Sequence, residues 1–365
     1  MPVRLLVVNV GSSSLKLSVL DGEELITARS IAASGGAFDE AAVRQVIDAH
    51  GPIDAVGHRI VHGGPEFTSA IVVDERVRRR LEALVDLAPL HLPKSLAGLD
   101  LVSRLLPEVP AVACFDTAFH AAMPVAAATY PVPAEWRRRW PLRRYGFHGL
   151  SHAWAATRVA ELIGRHQGQL RVVSCHLGAG ASLAAVAGGT SVDTTMGFTP
   201  LEGLVMATRS GTVDPGLVLW LEEHVGLPPA ELASSLEHRS GLLGLAGTDD
   251  MRKVLEREAR GESEARLAVD VYLHRLRGGI AAMAAAIEGL DALVFTGGVG
   301  ERAASIRSRA AIGLRFLGVA LDETVNASVR PDAELSVAGS MVRSFVVEAR
   351  EDLQIEREVR ALLSP

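Results

Sequence analysis

The chain has 365 residues, enough for two domains each with its own core. Hydrophobic residues make up 48% and charged residues 22%, which excludes a disordered or fibrous chain. The net charge of −6 disfavours nucleic acid as the main partner. No apolar run approaches membrane-spanning length, and Asn9 and Gly11 interrupt the first one, so neither a membrane span nor a secretory leader is expected. Cys114 and Cys175 each end an apolar run, which predicts two buried free thiols in a reducing compartment and a cytoplasmic location.

In chain order, apolar runs predict strands over Val3–Val10, Leu15–Leu20, Ala55–Ile60, Ala111–Phe115, Arg171–His176, Ser182–Val186, Ala292–Thr296 and Val342–Val347. Helical spacing predicts helices over Glu75–Val85, Lys94–Leu106, His152–Arg165, Asp249–Arg260, Ser263–Glu288 and Glu351–Leu362. In the longest of these, Tyr272, Leu276, Ile280, Met283 and Ile287 form one apolar stripe, read as a core face. Strands alternating with helices give an α/β class. The Arg- and Trp-bearing stretch Trp136–Trp140 reads as a solvated surface segment rather than a nucleic-acid contact.

A strand–glycine turn–strand unit occurs twice. Val8-Asn9-Val10-Gly11 through Gly22 overlays Cys175-His176-Leu177-Gly178 through Gly189 without a gap. The repeat predicts two similar lobes facing each other across a cleft. In the first copy, Gly11-Ser12-Ser13-Ser14-Leu15-Lys16 places hydroxyls, backbone N–H groups and an ammonium at a strand end, a suitable phosphate cradle.

Other polar clusters also end apolar runs. Arg59 lies in Gly57–Gly64, Asp116 in Phe115–His120, His148 in Tyr145–Gly149, Arg209 in Thr208–Gly211, and Gly298 and Gly300 in Thr296–Glu301. No Gly-x4-Gly-Lys-[Ser/Thr] and no kinase catalytic-loop His-Arg-Asp occurs. His148 and His152 are four apart, but no third ligand at diagnostic spacing supports a zinc site.

Taken together, the clusters resemble the acetate kinases, within the actin-like, sugar-kinase-like ATPase superfamily. The matching segments are Asn9-x-Gly11-Ser-Ser-Ser-Leu-Lys16, Gly57-His-Arg59-x-Val61-His-Gly-Gly64, Leu87-Ala-Pro-Leu90-His91, Phe115-Asp-Thr-Ala-Phe-His120, Tyr145-Gly-Phe-His-Gly149, His176-Leu-Gly178, Met196-Gly-Phe-Thr-Pro-Leu-Glu-Gly203, Thr208-Arg-Ser-Gly211 and Gly298-Val-Gly-Glu301. They keep the family's order and span nearly the whole chain.

The resemblance implies a two-lobed, ribonuclease-H-like fold of duplicated sheet-plus-helix lobes. The expected N-terminal lobe is 1–118 plus a returning C-terminal helix at 353–365, and the nucleotide-binding lobe is 119–352. It implies reversible phosphoryl transfer from ATP to acetate or propionate, giving an acyl phosphate and ADP, with Mg2+ (or Mn2+), in a cytoplasmic homodimer. By resemblance the catalytic residues are Arg59, Asp116, His148 and Arg209. Asn9, Ser12, Ser14 and Lys16 belong to the phosphate side, and Asn9 and Glu351 to the metal. The nucleotide takes His176, Gly178, Gly180, Asp250, Met251, Arg252, Gly298 and Gly300, and the acyl pocket takes Val61, Leu90, Phe147 and Pro200.

The chain departs from the family pattern at Ala179 and Arg302, each in place of an asparagine. Arg302 is expected to add compensating charge near the nucleotide. These departures motivate alternatives in the same fold: a pyrophosphate donor, a longer carboxylate acceptor, or a weakly active nucleotide-binding paralogue.

Overall fold

The computed structural model describes residues 4–11, 14–34, 37–89 and 91–364. Ser12 and Leu90 therefore lie outside the described residues. The chain divides into two compact units, 1–121 with 147–154 and 350–365, and 122–146 with 155–349. The sequence reading places 147–154 in the second lobe. The structure ties that segment to the first, because the Gly149 N–H donates to the Asp116 carbonyl at 3.0 Å.

The first unit holds strands β1 (Arg4–Val10), β2 (Ser14–Asp21), β3 (Glu24–Ser34), β4 (Ala37–Phe38), β5 (Ala55–Ile60), β6 (Ile71–Val72) and β7 (Ala111–Phe115). They form one sheet in the order β4-β3-β2-β1-β5-β7-β6. β1 and β2 are an antiparallel pair, whereas β1, β5 and β7 run parallel. Strands have a period of two, so alternate residues share a face. Leu6, Val8 and Val10 join Leu15, Leu17 and Val19 in a core capped by Val43 and Ile47 of the helix Glu40–Asp48 and by Leu101 and Val102 of Leu92–Leu105. The opposite face carries Val7, Asn9, Gly57 and Arg59. The helix Glu351–Leu363 packs on it, and Gly57 makes that approach close, since a Cβ there would fall on Ile355 Cγ2.

The second unit repeats this plan. Its strands are β8 (Arg171–Leu177), β9 (Ala181–Ala187), β10 (Thr190–Thr194), β11 (Ala292–Thr296), β12 (Ala333–Glu334) and β13 (Arg343–Val346). Their order is β10-β9-β8-β11-β13-β12, with β8, β11 and β13 parallel and β8–β9 antiparallel. Both sheets thus read antiparallel hairpin, then three parallel strands, then a short antiparallel edge. This is the duplication expected from the strand–turn–strand overlay. Tyr272, Leu276, Ile280 and Met283 on the helix Ser263–Ala286 are all buried, and the helix lies against β8, β9 and β10. Both cysteines are free and buried. Among the described residues no helix is long and apolar enough to cross a membrane.

Candidate active site

In the first unit the three parallel strands end side by side, and their chemistry sits at those ends. Asn9 is next to last in β1, Arg59 next to last in β5, and Asp116 immediately follows β7. The register pairs Asn9 with Lys16 and Arg59 with Cys114, so Lys16, Asn9, Arg59 and Asp116 share one face. Arg59 donates from Nε and Nη2 to the two Asp116 carboxylate oxygens at 2.9 and 2.6 Å. Its Nη1 donates to Asn9 Oδ1 at 3.1 Å, and Asn9 Nδ2 donates to Glu351 Oε2 at 3.1 Å. Glu351 Oε2 stands 3.6 Å from Arg59 Nε. Three of the five guanidinium N–H groups are thereby used; one on Nη1 and one on Nη2 stay open among the described residues. Such guanidinium N–H groups suit a carboxylate or phosphoryl oxygen.

Burial would lower the Arg59 pKa, but Asp116 and Glu351 outweigh it and hold the guanidinium charged above its ordinary value. Burial raises the Asp116 pKa; Arg59 opposes this and Glu351 adds to it. The His148 backbone N–H also donates to Asp116. His148 itself has φ of 56°, a left-handed conformation that a histidine holds only when its surroundings fix it. Phe147, next to it, is buried, meets the His62 ring edge-on at 5.5 Å, and gives its carbonyl to His120 Nε2 at 3.1 Å. Asp116 therefore anchors both the arginine and the His148 turn.

In the second unit the turn after β8 and the turn after β11 leave neighbouring parallel strands, with His176 paired to Thr296. Turns at such strand ends form a ligand crevice. A cavity of about 580 Å3 opens there, lined by Gly178, Ala179, Asp250, Met251, Gly298 and Arg302 among others. A Cβ on Gly298 would meet nothing within 4 Å, so that glycine leaves space on the cavity side rather than serving the protein's own packing. Asp250 caps the helix Met251–Ala259 and is held by the Arg252 fork at 3.0 and 2.6 Å, which lowers its pKa to about 2. His176, Gly180 and Gly300 do not line this cavity.

Arg209 sits in 195–214, a segment with neither helix nor strand. The Ala207 N–H donates to the Ala179 carbonyl at 3.0 Å, which joins that segment to the glycine turn. Arg209 Nε donates to Glu237 Oε2 at 3.1 Å, and Nη1 to the Pro200 carbonyl at 3.4 Å. The sequence reading missed Glu237, a carboxylate on the helix Pro229–His238 with no local signal to mark it. Val61 and Phe147 fall in the first unit and Pro200 in the second. Among the described residues no group of three or more His, Cys, Asp or Glu is placed to hold a metal ion.

Residues 36–357 match the model of the acetokinase family. The chain belongs to the acetokinase family. An acetate kinase of Gloeobacter violaceus is 48% identical over 316 residues, covering 86% of this chain and 78% of the relative. One of Carboxydothermus hydrogenoformans is 39% identical, covering 99% of each. The crystal structure of Porphyromonas gingivalis acetate kinase superposes with a TM-score of 0.93 at 34% identity, over 99% of this chain and 100% of that one. A propionate kinase from Francisella tularensis gives 0.90 at 33% identity, over 98% of each. As an acetokinase-family member the chain is a kinase, and its fold is the two-lobed one of that family.

Proposed function

We propose that the chain transfers the γ-phosphoryl group of ATP directly to acetate or propionate, giving an acyl phosphate and ADP. The observation that carries this reading is Arg59: a guanidinium fixed by Asp116 and Asn9 that still offers two N–H groups. A carboxylate acceptor is already ionised at neutral pH, so no general base is needed. The remaining difficulty is charge repulsion and alignment, which positioned cations relieve. Arg59 binds and orients the acid. Arg209, steadied by Glu237, meets the charge of the transferring group, and His148 donates to its oxygens. By the family resemblance Val61, Phe147 and Pro200 are acyl-pocket residues, and a methylene in such a pocket is worth about 1–3 kcal/mol.

The nucleotide occupies the cavity of the second unit, with the base toward Met251 and the phosphates toward Gly178 and Gly298. The apolar side chains Leu242, Met251 and Leu255 in that lining favour a nucleoside donor over pyrophosphate. Arg302 lines the same cavity and supports phosphate binding.

The oxygens near Arg59 fit Mg2+ held mainly through phosphate. Glu351 offers a carboxylate, whereas Asn9 Oδ1 and both Asp116 oxygens already accept from Arg59. When bound, Mg2+ neutralises phosphate charge. By the same resemblance the enzyme is a cytoplasmic homodimer.

The test is purified protein with Mg2+, ATP and a panel of short carboxylates, with hydroxylamine trapping the acyl phosphate. Hydroxamate from acetate or propionate is expected. No hydroxamate with any acid overturns the reading.

A further inference from the structure

Arg307, on the helix Ala304–Ile312, is 2% exposed, and no carboxylate pairs with it among the described residues. A buried guanidinium without a counter-charge is costly and must be met by hydrogen bonds. Nε and Nη2 donate to Asn326, on Oδ1 and the carbonyl, both at 2.8 Å. Nη1 donates to the Gly300 and Glu301 carbonyls, also at 2.8 Å. Those two carbonyls belong to the end of the short helix Gly297–Arg302, where carbonyls lack partners within the helix. At its start, Glu301 Oε1 accepts from the Gly297 and Ala349 N–H groups, both at 3.0 Å. Asn326 is buried in turn and gives Nδ2 to the Ala304 carbonyl at 3.0 Å. The turn is thus tied at both ends, and Gly298, on the cavity side, lies between the ties.

We propose that Arg307 is a positioning residue for the phosphate donor: it fixes the Gly297–Gly300 turn in the shape that receives nucleotide phosphates, without touching the nucleotide. The proposal rests on reading the neighbouring cavity as the nucleotide site. Lysine keeps the charge but cannot reach two carbonyls and Asn326 together, so the role belongs to the guanidinium fork. A merely structural Arg307 lowers the melting temperature and leaves the folded protein's donor affinity unchanged.

The experiment uses the full chain and three variants, Arg307→Lys, Asn326→Ser and Gly298→Val. Each is measured for thermal melting, for ADP binding by calorimetry, and for separate KM values of ATP and acetate. Folded Arg307→Lys is expected to bind ADP about tenfold more weakly, the scale of one lost hydrogen bond to a charged group. Its KM for ATP rises while its KM for acetate stays. Asn326→Ser, which removes the Nε contact together with the Nδ2 bond to the Ala304 carbonyl but leaves the other Arg307 bonds, shifts the same way by less and decides the matter if Arg307→Lys fails to fold. Gly298→Val tests the underlying reading: unchanged ADP binding there removes the nucleotide site itself. Weakened binding in Gly298→Val with wild-type ADP affinity in the folded Arg307 and Asn326 variants overturns the positioning role alone.

Discussion

Arg59 is set by its neighbours before any substrate arrives. Its fork to Asp116 fixes the plane of the guanidinium, Asn9 accepts from Nη1, and Glu351 stands beside Nε and holds Asn9. Arg59→Lys keeps a cation but loses this geometry, and kcat/KM for the acid is expected to fall about 10²–10³-fold. Steady-state kinetics check this; a loss under tenfold contradicts the clamp. His148 provides a second test, because its φ of 56° is a conformation that asparagine tolerates. His148→Asn is expected to keep the melting temperature and lower kcat about 10²-fold, because the shorter amide cannot place its N–H where the imidazole does. A folded variant with wild-type kcat contradicts the donor role. Both residues were legible in the sequence, because each breaks an apolar or glycine-flanked run with a polar side chain. Glu237 and Arg307 were not. Their partners, Arg209 and the Gly300 and Glu301 carbonyls, are set by tertiary folding, and neither residue stands in a marked motif.

At the level of elements, apolar runs that end in glycine or a charge identified β1, β5, β7, β8 and β11. β3 was missed because its side chains are mostly exposed through residue 32, so no burial pattern marks it. The helix Leu92–Leu105 starts two residues before its expected beginning, at a first turn that Pro93 preorganises. The helix Glu351–Leu363 matters most for the site, since its first residue is Glu351 and its packing depends on Gly57. Gly57→Ala places a methyl against Ile355 and Val359, and overpacking of this kind costs about 1–3 kcal/mol. Chemical denaturation should show that loss, together with reduced activity as Glu351 shifts. Wild-type stability in Gly57→Ala removes this account of how the helix is seated.

For the whole molecule, the repeated sheet order realises a duplication that only the two glycine turns announced. The placement of 147–154 with the first unit was hidden from the sequence, because it depends on the backbone bond from Gly149 to Asp116. The first unit also sets the response to acid. Burial lowers His58 to about 3, despite Asp100, and lowers His62 and His120 to about 4. Unfolded, these histidines take up protons near 6.5, so the unfolded chain binds more protons below that value. Their stabilisation is complete above about pH 6.5 and is lost as pH falls toward 4, at up to about 1.4 kcal/mol per pH unit for each. The raised Asp116 and Glu358 act in the opposite sense, since the fold holds their protons more tightly. Denaturation midpoints should therefore fall between pH 7 and 5, and His58→Gln should flatten the slope by one proton. An unchanged slope in that variant contradicts the buried neutral histidine.

The central claim, phosphoryl transfer to a carboxylate, is tested most directly by following the phosphorus resonances of ATP with the purified chain, Mg2+ and acetate. Acyl phosphate and ADP appearing in equal amounts is the predicted result. ATP left unchanged, or ADP accompanied only by inorganic phosphate, contradicts it.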